Sequence, residues 1–117
     1  MIRFVYISLF FLLFSCTDGI DRLPEPDNLI AKDKMILVVK EMIKLESFVQ
    51  LRYKNVGEYH KVMIASGDSI LESNKVTREM YDESLNYYGS RQQEMQEIYN
   101  EVLDDLMREL GELQSSK

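Results

Sequence analysis

Apolar residues recur at helical spacing through most of the chain, and the breaks between them set the elements. Met35, Val38, Val39, Met42, Leu45 and Val49 share one stripe, widened by Ile36, Ile43 and Phe48. Lys34, Lys40, Glu41, Lys44 and Glu46 lie largely outside it. This predicts an amphipathic first helix over Ala31–Arg52, its apolar face turned to a helical core. Between Tyr53 and Gly67 the pattern weakens, because Asn55, Gly57, Ser66 and Gly67 are breakers. Tyr59, Val62, Met63 and Ile64 between them are read as a short helix. Asp68 is placed to cap a second short piece, Ser69-Ile70-Leu71-Glu72, that stops near Asn74.

Thr77 next reads as the cap of a helix over Arg78–Tyr88, with Val76 and Tyr81 placed for a hydrophobic staple. Gly89 suits a left-handed stop. Ser90 with Gln93 has the form of a capping box for the last helix, predicted to reach Leu113. There Met95, Ile98, Tyr99, Val102, Leu103, Leu106, Leu110 and Leu113 form one long apolar stripe. Glu94, Glu97, Glu101, Asp104, Asp105 and Glu109 sit mostly off it. Residues 114–117 are expected to fray. The expectation is all-α: a small bundle of three main helices and one or two short ones, over residues 29–113.

The first apolar segment is of another kind. Phe4–Phe14 is apolar apart from Ser8 and the Tyr6 hydroxyl, and it follows Arg3. It is far shorter than the ~20 residues that span a bilayer, and suits the apolar part of an export signal. It ends in Leu13-Phe14-Ser15-Cys16, which resembles a bacterial lipobox, with Phe14 larger than the residue usual there. The resemblance implies a signal peptide over residues 1–15 and a cut between Ser15 and Cys16. It also implies a thioether-linked diacylglycerol on Cys16 and a further acyl chain on its amine. Two or three chains hold firmly where one would not. Cys16 is the only cysteine, so an intrachain disulfide is excluded.

Residues 16–28 read as the lipidated cysteine and a flexible tether. Gly19, Pro24 and Pro26 deny this stretch a helix, and Asp18, Asp21, Glu25 and Asp27 around Arg22 deny it a core. Acidic residues just after a lipidated cysteine act as a surface-export signal in some lipoproteins, but here Gly19 follows Asp18. The whole chain has 117 residues and a formal net charge of -6. Losing residues 1–15 removes Arg3 alone among the charges, so the remaining 102 residues stand near -7. That balance argues against nucleic acid and anionic lipid surfaces as partners.

No catalytic template is complete. His60 has no second histidine to share a metal, and no Glu-x-x-His pair occurs. Neither a Gly-rich phosphate loop nor an Asp-x-Asp-x-Asp-Gly calcium loop is present. Asp82-Glu83 and Asp104-Asp105 are adjacent pairs, which point about 100° apart on a helix and do not converge. Glu94, Glu97 and Glu101 read as a solvated acidic face. Ile70–Asn74, a turn and Thr77–Tyr88 have the proportions of a helix-turn-helix, but Glu79, Asp82 and Glu83 would repel phosphate. The expectation is therefore no enzyme, no metal, no cofactor and no nucleic acid. Tyr81, Leu85 and Tyr88 form an aromatic stripe suited first to a core edge and then to a partner contact, since each tyrosine carries a polar tip.

Three segments carry a family resemblance. Lys75-Val76-Thr77-Arg78-Glu79-Met80-Tyr81-Asp82-Glu83-Ser84-Leu85-Asn86-Tyr87-Tyr88 is similar to the Ile-Thr…Phe-Asp-x-Ser-Leu-x-Tyr-Tyr segment of the DUF4296 lipoproteins of Bacteroidota. Ile98-Tyr99-Asn100-Glu101-Val102-Leu103 is similar to their Ile-Tyr-Asp-Glu-Val-Leu. Leu29-Ile30-Ala31-Lys32-Asp33-Lys34-Met35 resembles their Leu-Ile-Pro-x-Asp-Lys-Met, with Ala31 in place of proline. The resemblance implies a helical, lipid-anchored envelope protein and transfers no activity. The expected role is an interaction or accessory subunit with an envelope protein as partner. It would sit on the outer membrane, facing either the periplasm or the surface. The alternative is a carrier of a small apolar or lipid ligand between helices, for which the seven methionines would supply an adaptable wall.

Overall fold

The computed structural model describes residues 21–117. The predicted signal peptide, Ser15, Cys16 and the first part of the tether lie outside the described residues. Four helices follow an extended lead: α1 (Lys32–Arg52), α2 (Val56–Ser73), α3 (Arg78–Gly89) and α4 (Gln92–Ser115). No strand occurs among the described residues. The fold is a small all-α bundle. Its axis is α1, against which α2 and α4 both pack; α3 bridges α4 and α2, and α2 and α4 do not pack on each other.

The sequence expectation of two short pieces between Tyr53 and Asn74 is corrected: they are one continuous helix of 18 residues. Asn55 starts that helix rather than breaking it. Its Oδ1 accepts from the N–H groups of Gly57 (2.8 Å) and Glu58 (3.3 Å), satisfying two donors that the first turn leaves free. Gly67 interrupts nothing because packing needs it. It is buried, and a Cβ there would lie 3.3 Å from the Arg78 guanidinium and 3.8 Å from the Met42 side chain of α1. Asp68 is no cap; its carboxylate receives Arg78 from α3 at 2.6 Å.

Among the described residues the left-handed one is Lys75 (φ 57°), while Gly89 is the last residue of α3 and has no positive φ. At Lys75 the chain makes a Schellman stop. The Lys75 N–H donates to Glu72 O and the Val76 N–H to Leu71 O, both at 2.9 Å. Leu71 and Val76, the apolar pair that accompanies this turn, are both buried. Thr77 caps α3 as expected, its Oγ1 accepting from Met80 N–H at 3.1 Å. The expected capping box at Ser90 does not form: Arg91 is the cap residue of α4 and makes no side-chain cap bond. The last helix also continues to Ser115, past the predicted fraying point.

The core gathers Met35, Val38 and Val39 of α1, Leu71 of α2, Tyr88 of α3 and Ile98 and Val102 of α4, with Ile30 and Val76 from the connections. α1 and α4 run parallel at a constant offset. Lys32 meets Glu97 at 2.7 Å and Lys40 meets Asp105 at 3.5 Å, each pair separated by 65 positions. Lys44 meets Glu109 at 2.5 Å in the same register.

Candidate functional site

Two side chains one turn apart on α3 grip the lead into α1. The buried Ser84 hydroxyl accepts from the Ile30 N–H at 2.9 Å, and the Tyr88 hydroxyl donates to the Ile30 carbonyl at 2.7 Å. Seven residues earlier the same arrangement recurs at Leu23. Its N–H donates to Ser90 Oγ at 3.0 Å, and its carbonyl accepts from Arg91 Nη1 at 2.9 Å. Arg91 is held in turn over the Tyr87 ring, 3.8 Å from its centroid, and Tyr87 meets Tyr88 edge to face. This is why Ser90 is unavailable as a cap: its hydroxyl donates to Tyr87 O and accepts from Leu23. The stretch expected to be free is therefore strapped to the α3–α4 junction from Leu23 onward.

The Tyr81–Leu85–Tyr88 stripe divides. Tyr88 is buried and belongs to the strap; Tyr81 and Leu85 are half-buried against the core. Burial, and then the neighbouring Tyr99, pushes the Tyr81 phenol above its ordinary pKa. Burial, and then Glu94, does the same for Tyr88, which keeps its hydroxyl a donor at neutral pH. Tyr88 thus offers a partner almost no surface, and Tyr81 and Leu85 offer their edges.

The large exposed apolar surface lies elsewhere. One part is the turn between α1 and α2, where Phe48, Leu51 and Val56 are 59%, 79% and 82% exposed. The other is on α4, which carries two seams that the sequence pattern merges into one stripe. The first, Met95, Ile98, Val102, Asp105 and Glu109, advances by three, four, three and four residues. It is apolar through Val102 and acidic after, where Asp105 and Glu109 take up the nearly buried Lys40 (3.5 and 3.0 Å). A hydrogen bond to Glu109 raises the pKa of both Lys40 and Lys44, against the opposing effect of burial. Glu109 is held below the ordinary carboxylate range by Lys44 first and Lys40 second. The second seam, Tyr99, Leu103, Leu106, Leu110 and Leu113, advances by four, three, four and three. It is apolar throughout, and only Leu106 packs on the core. Tyr99, Leu103, Leu110 and Leu113 are 48%, 56%, 56% and 65% exposed, and Met107 beside them is 64% exposed. A sequence signal for this split exists in the 4-3-4-3 spacing, but only the acidic rungs reveal which seam faces α1.

The hollows found on the described surface are open. One of about 440 Å³ lies where α2 meets α3, lined by Leu71, Val76 and the polar Asp68, Thr77 and Arg78. Among the described residues no group of three or more His, Cys, Asp or Glu side chains is placed to hold a metal ion. No helix among them is long and apolar enough to cross a membrane.

Fold and site together define a small all-α domain whose N-terminal lead is strapped across its third helix, with apolar side chains left on one turn and one seam. The model of the Domain of unknown function (DUF4296) family matches residues 26–112, and the chain belongs to that family. The matched region contains the Ile30–Ser84–Tyr88 clip and begins after Leu23. No curated protein and no solved structure matches the chain.

Proposed function

We propose that the chain is the precursor of a lipid-anchored envelope protein of a Bacteroidota-type cell, cut between Ser15 and Cys16, that acts as a non-enzymatic interaction or accessory subunit on the outer membrane. The anchoring part rests on Arg3, the apolar run Phe4–Phe14 and Cys16. The observation that carries the interaction role is the apolar turn of Phe48, Leu51 and Val56. It stands at the far end of α1 from the strap. A 21-residue helix spans about 30 Å. A domain pinned at Leu23 would hang from Cys16 by a short leader, since Cys16–Arg22 extends about 23 Å at most. The strap end would then face the membrane and the apolar turn a neighbouring envelope protein.

The test is in-cell crosslinking of the tagged full chain, with mass spectrometry of the membrane fraction, beside Cys16→Ala and Leu51→Asp/Val56→Asp versions. The reading expects Cys16→Ala to leave the detergent phase. It expects the turn variant to stay folded and anchored but lose its partner. Membrane attachment unchanged in Cys16→Ala overturns the anchor. A discrete partner retained by the turn variant overturns the assigned surface.

A further inference from the structure

We propose that the second seam of α4 is a self-association face, occupied by the same seam of a second copy of this chain. The face is a helix face built for a helix: Tyr99, Leu103, Leu106, Leu110 and Leu113 repeat at the 4-3-4-3 spacing that keeps a partner helix in contact along its length. It is also the wrong way round for a monomer. Past Val102, α4 turns carboxylates toward α1 and leucines toward solvent.

The flanks select the occupant. The seam positions that would border a partner on the open side are Asn100, Met107 and Gln114, none of them charged. The outward acids Glu101 and Asp104 lie on the back of the helix relative to the seam, and Glu112 continues the side that faces α1. Two copies can therefore meet without like charges opposing across the contact, despite the net negative charge of each. A strongly basic partner helix would find no carboxylate on that open flank. The area is also sufficient. Tyr99, Leu103, Met107, Leu110 and Leu113 each leave ~100 Å² in solvent, roughly 500 Å² per copy, at the upper range of apolar patches on monomers. Two such faces together give roughly 1,000 Å², the lower edge of specific interfaces. The surface is separate from the α1–α2 turn and does not rest on the lipid anchor.

The experiment uses the full chain in mild detergent, in a Cys16→Ser background so that an introduced thiol is the only one. Met107→Cys flanks the middle of the seam, beside its counterpart if the helices run antiparallel and across the seam from it, within reach of a flexible linker, if they run parallel. Glu101→Cys, on the back of α4, is the control. Light scattering reports mass, and a flexible bis-maleimide reports proximity. The expected result is a dimer that crosslinks at least tenfold more through residue 107 than through residue 101. Leu103→Glu/Leu110→Glu should reduce that dimer to monomer with helix content unchanged. Since both leucines are exposed in the single chain, the variant has no core to lose, and the cysteine pair gives the answer independently should it misfold. A monomer at 100-fold higher concentration than the crosslinking requires, or equal crosslinking at 107 and 101, overturns the proposal. Crosslinking through residue 107 to a different protein in place of a second copy overturns the occupant.

Discussion

The two halves of α4 are built on opposite plans. From Gln92 to Val102 the side toward α1 is apolar and buried, with Ile98 and Val102 at the centre of the core. From Leu103 onward the side toward α1 is ionic, and the apolar residues other than Leu106 face outward. Both halves are helical for the same local reasons, and both align with α1 in one register. They differ in what their leucines and carboxylates are for. The first half buys a folded domain; the second is held in place by lysines and leaves its leucines for another surface.

Matched truncations test this most strongly. Ile98→Ala should cost about 3 kcal/mol, as buried aliphatic truncations do. Leu110→Ala should stay within about 0.5 kcal/mol when unfolding is followed in dilute protein. Equal losses in denaturant titrations would mean that both halves are core. The strap comes next. Ser84→Ala strands the buried Ile30 N–H and Tyr88→Phe strands its carbonyl, so each should cost about 1–3 kcal/mol. Limited proteolysis should then cut between residues 21 and 30, sites that resist cleavage in the parent chain.

Acid should loosen the second half more than the first, because the first loses only the exposed Lys32–Glu97 pair and keeps Ile98 and Val102 in the core. Glu109 has a folded-state pKa below its unfolded one, through Lys44 and then Lys40. Its contribution is therefore present above the unfolded value and lost as pH falls from there through the folded one. Amide protection over Leu103–Glu112 should drop there while protection over Met95–Val102 holds; a uniform drop would contradict the division. The smallest effect lies outside α4. Lys75 occupies a left-handed conformation that glycine adopts without a Cβ penalty, so Lys75→Gly should stabilise by about 0.5–1 kcal/mol, read as a small rise in Tm.

Much of the fold was legible because local chemistry decided it: the span of α1, the Thr77 cap and the helical state of the last segment follow from patterning alone. The failures share a cause. Gly67 looks like a breaker until Met42 and Arg78 are placed against it. Ser90 looks like a cap until Leu23 takes its hydroxyl, and no local rule ties residues 67 positions apart. At the candidate sites the stripe through Tyr88 was visible, but its polar tip serves Ile30 rather than a partner. The two seams of α4 leave a trace in the 4-3-4-3 spacing, but hydrophobicity alone does not say which of them meets the lysines of α1.

The fixed offset between α1 and α4 also sets an order of assembly. Parallel neighbours cannot be joined by a short turn, so α2 and α3 must intervene. α1 and α2 are linked by three residues and close at little entropic cost. The α1–α4 pairing spans 65 positions, the kind of non-local contact whose loop must close before it is rewarded. During synthesis Lys40 and Lys44 emerge long before Asp105 and Glu109, and until those arrive Lys44 has only Glu41 beside it on α1 and Lys40 has neither of its two carboxylates. The last helix is thus the piece that turns an early hairpin into a finished domain, since it brings both the core residues Ile98 and Val102 and the carboxylates that meet Lys40 and Lys44.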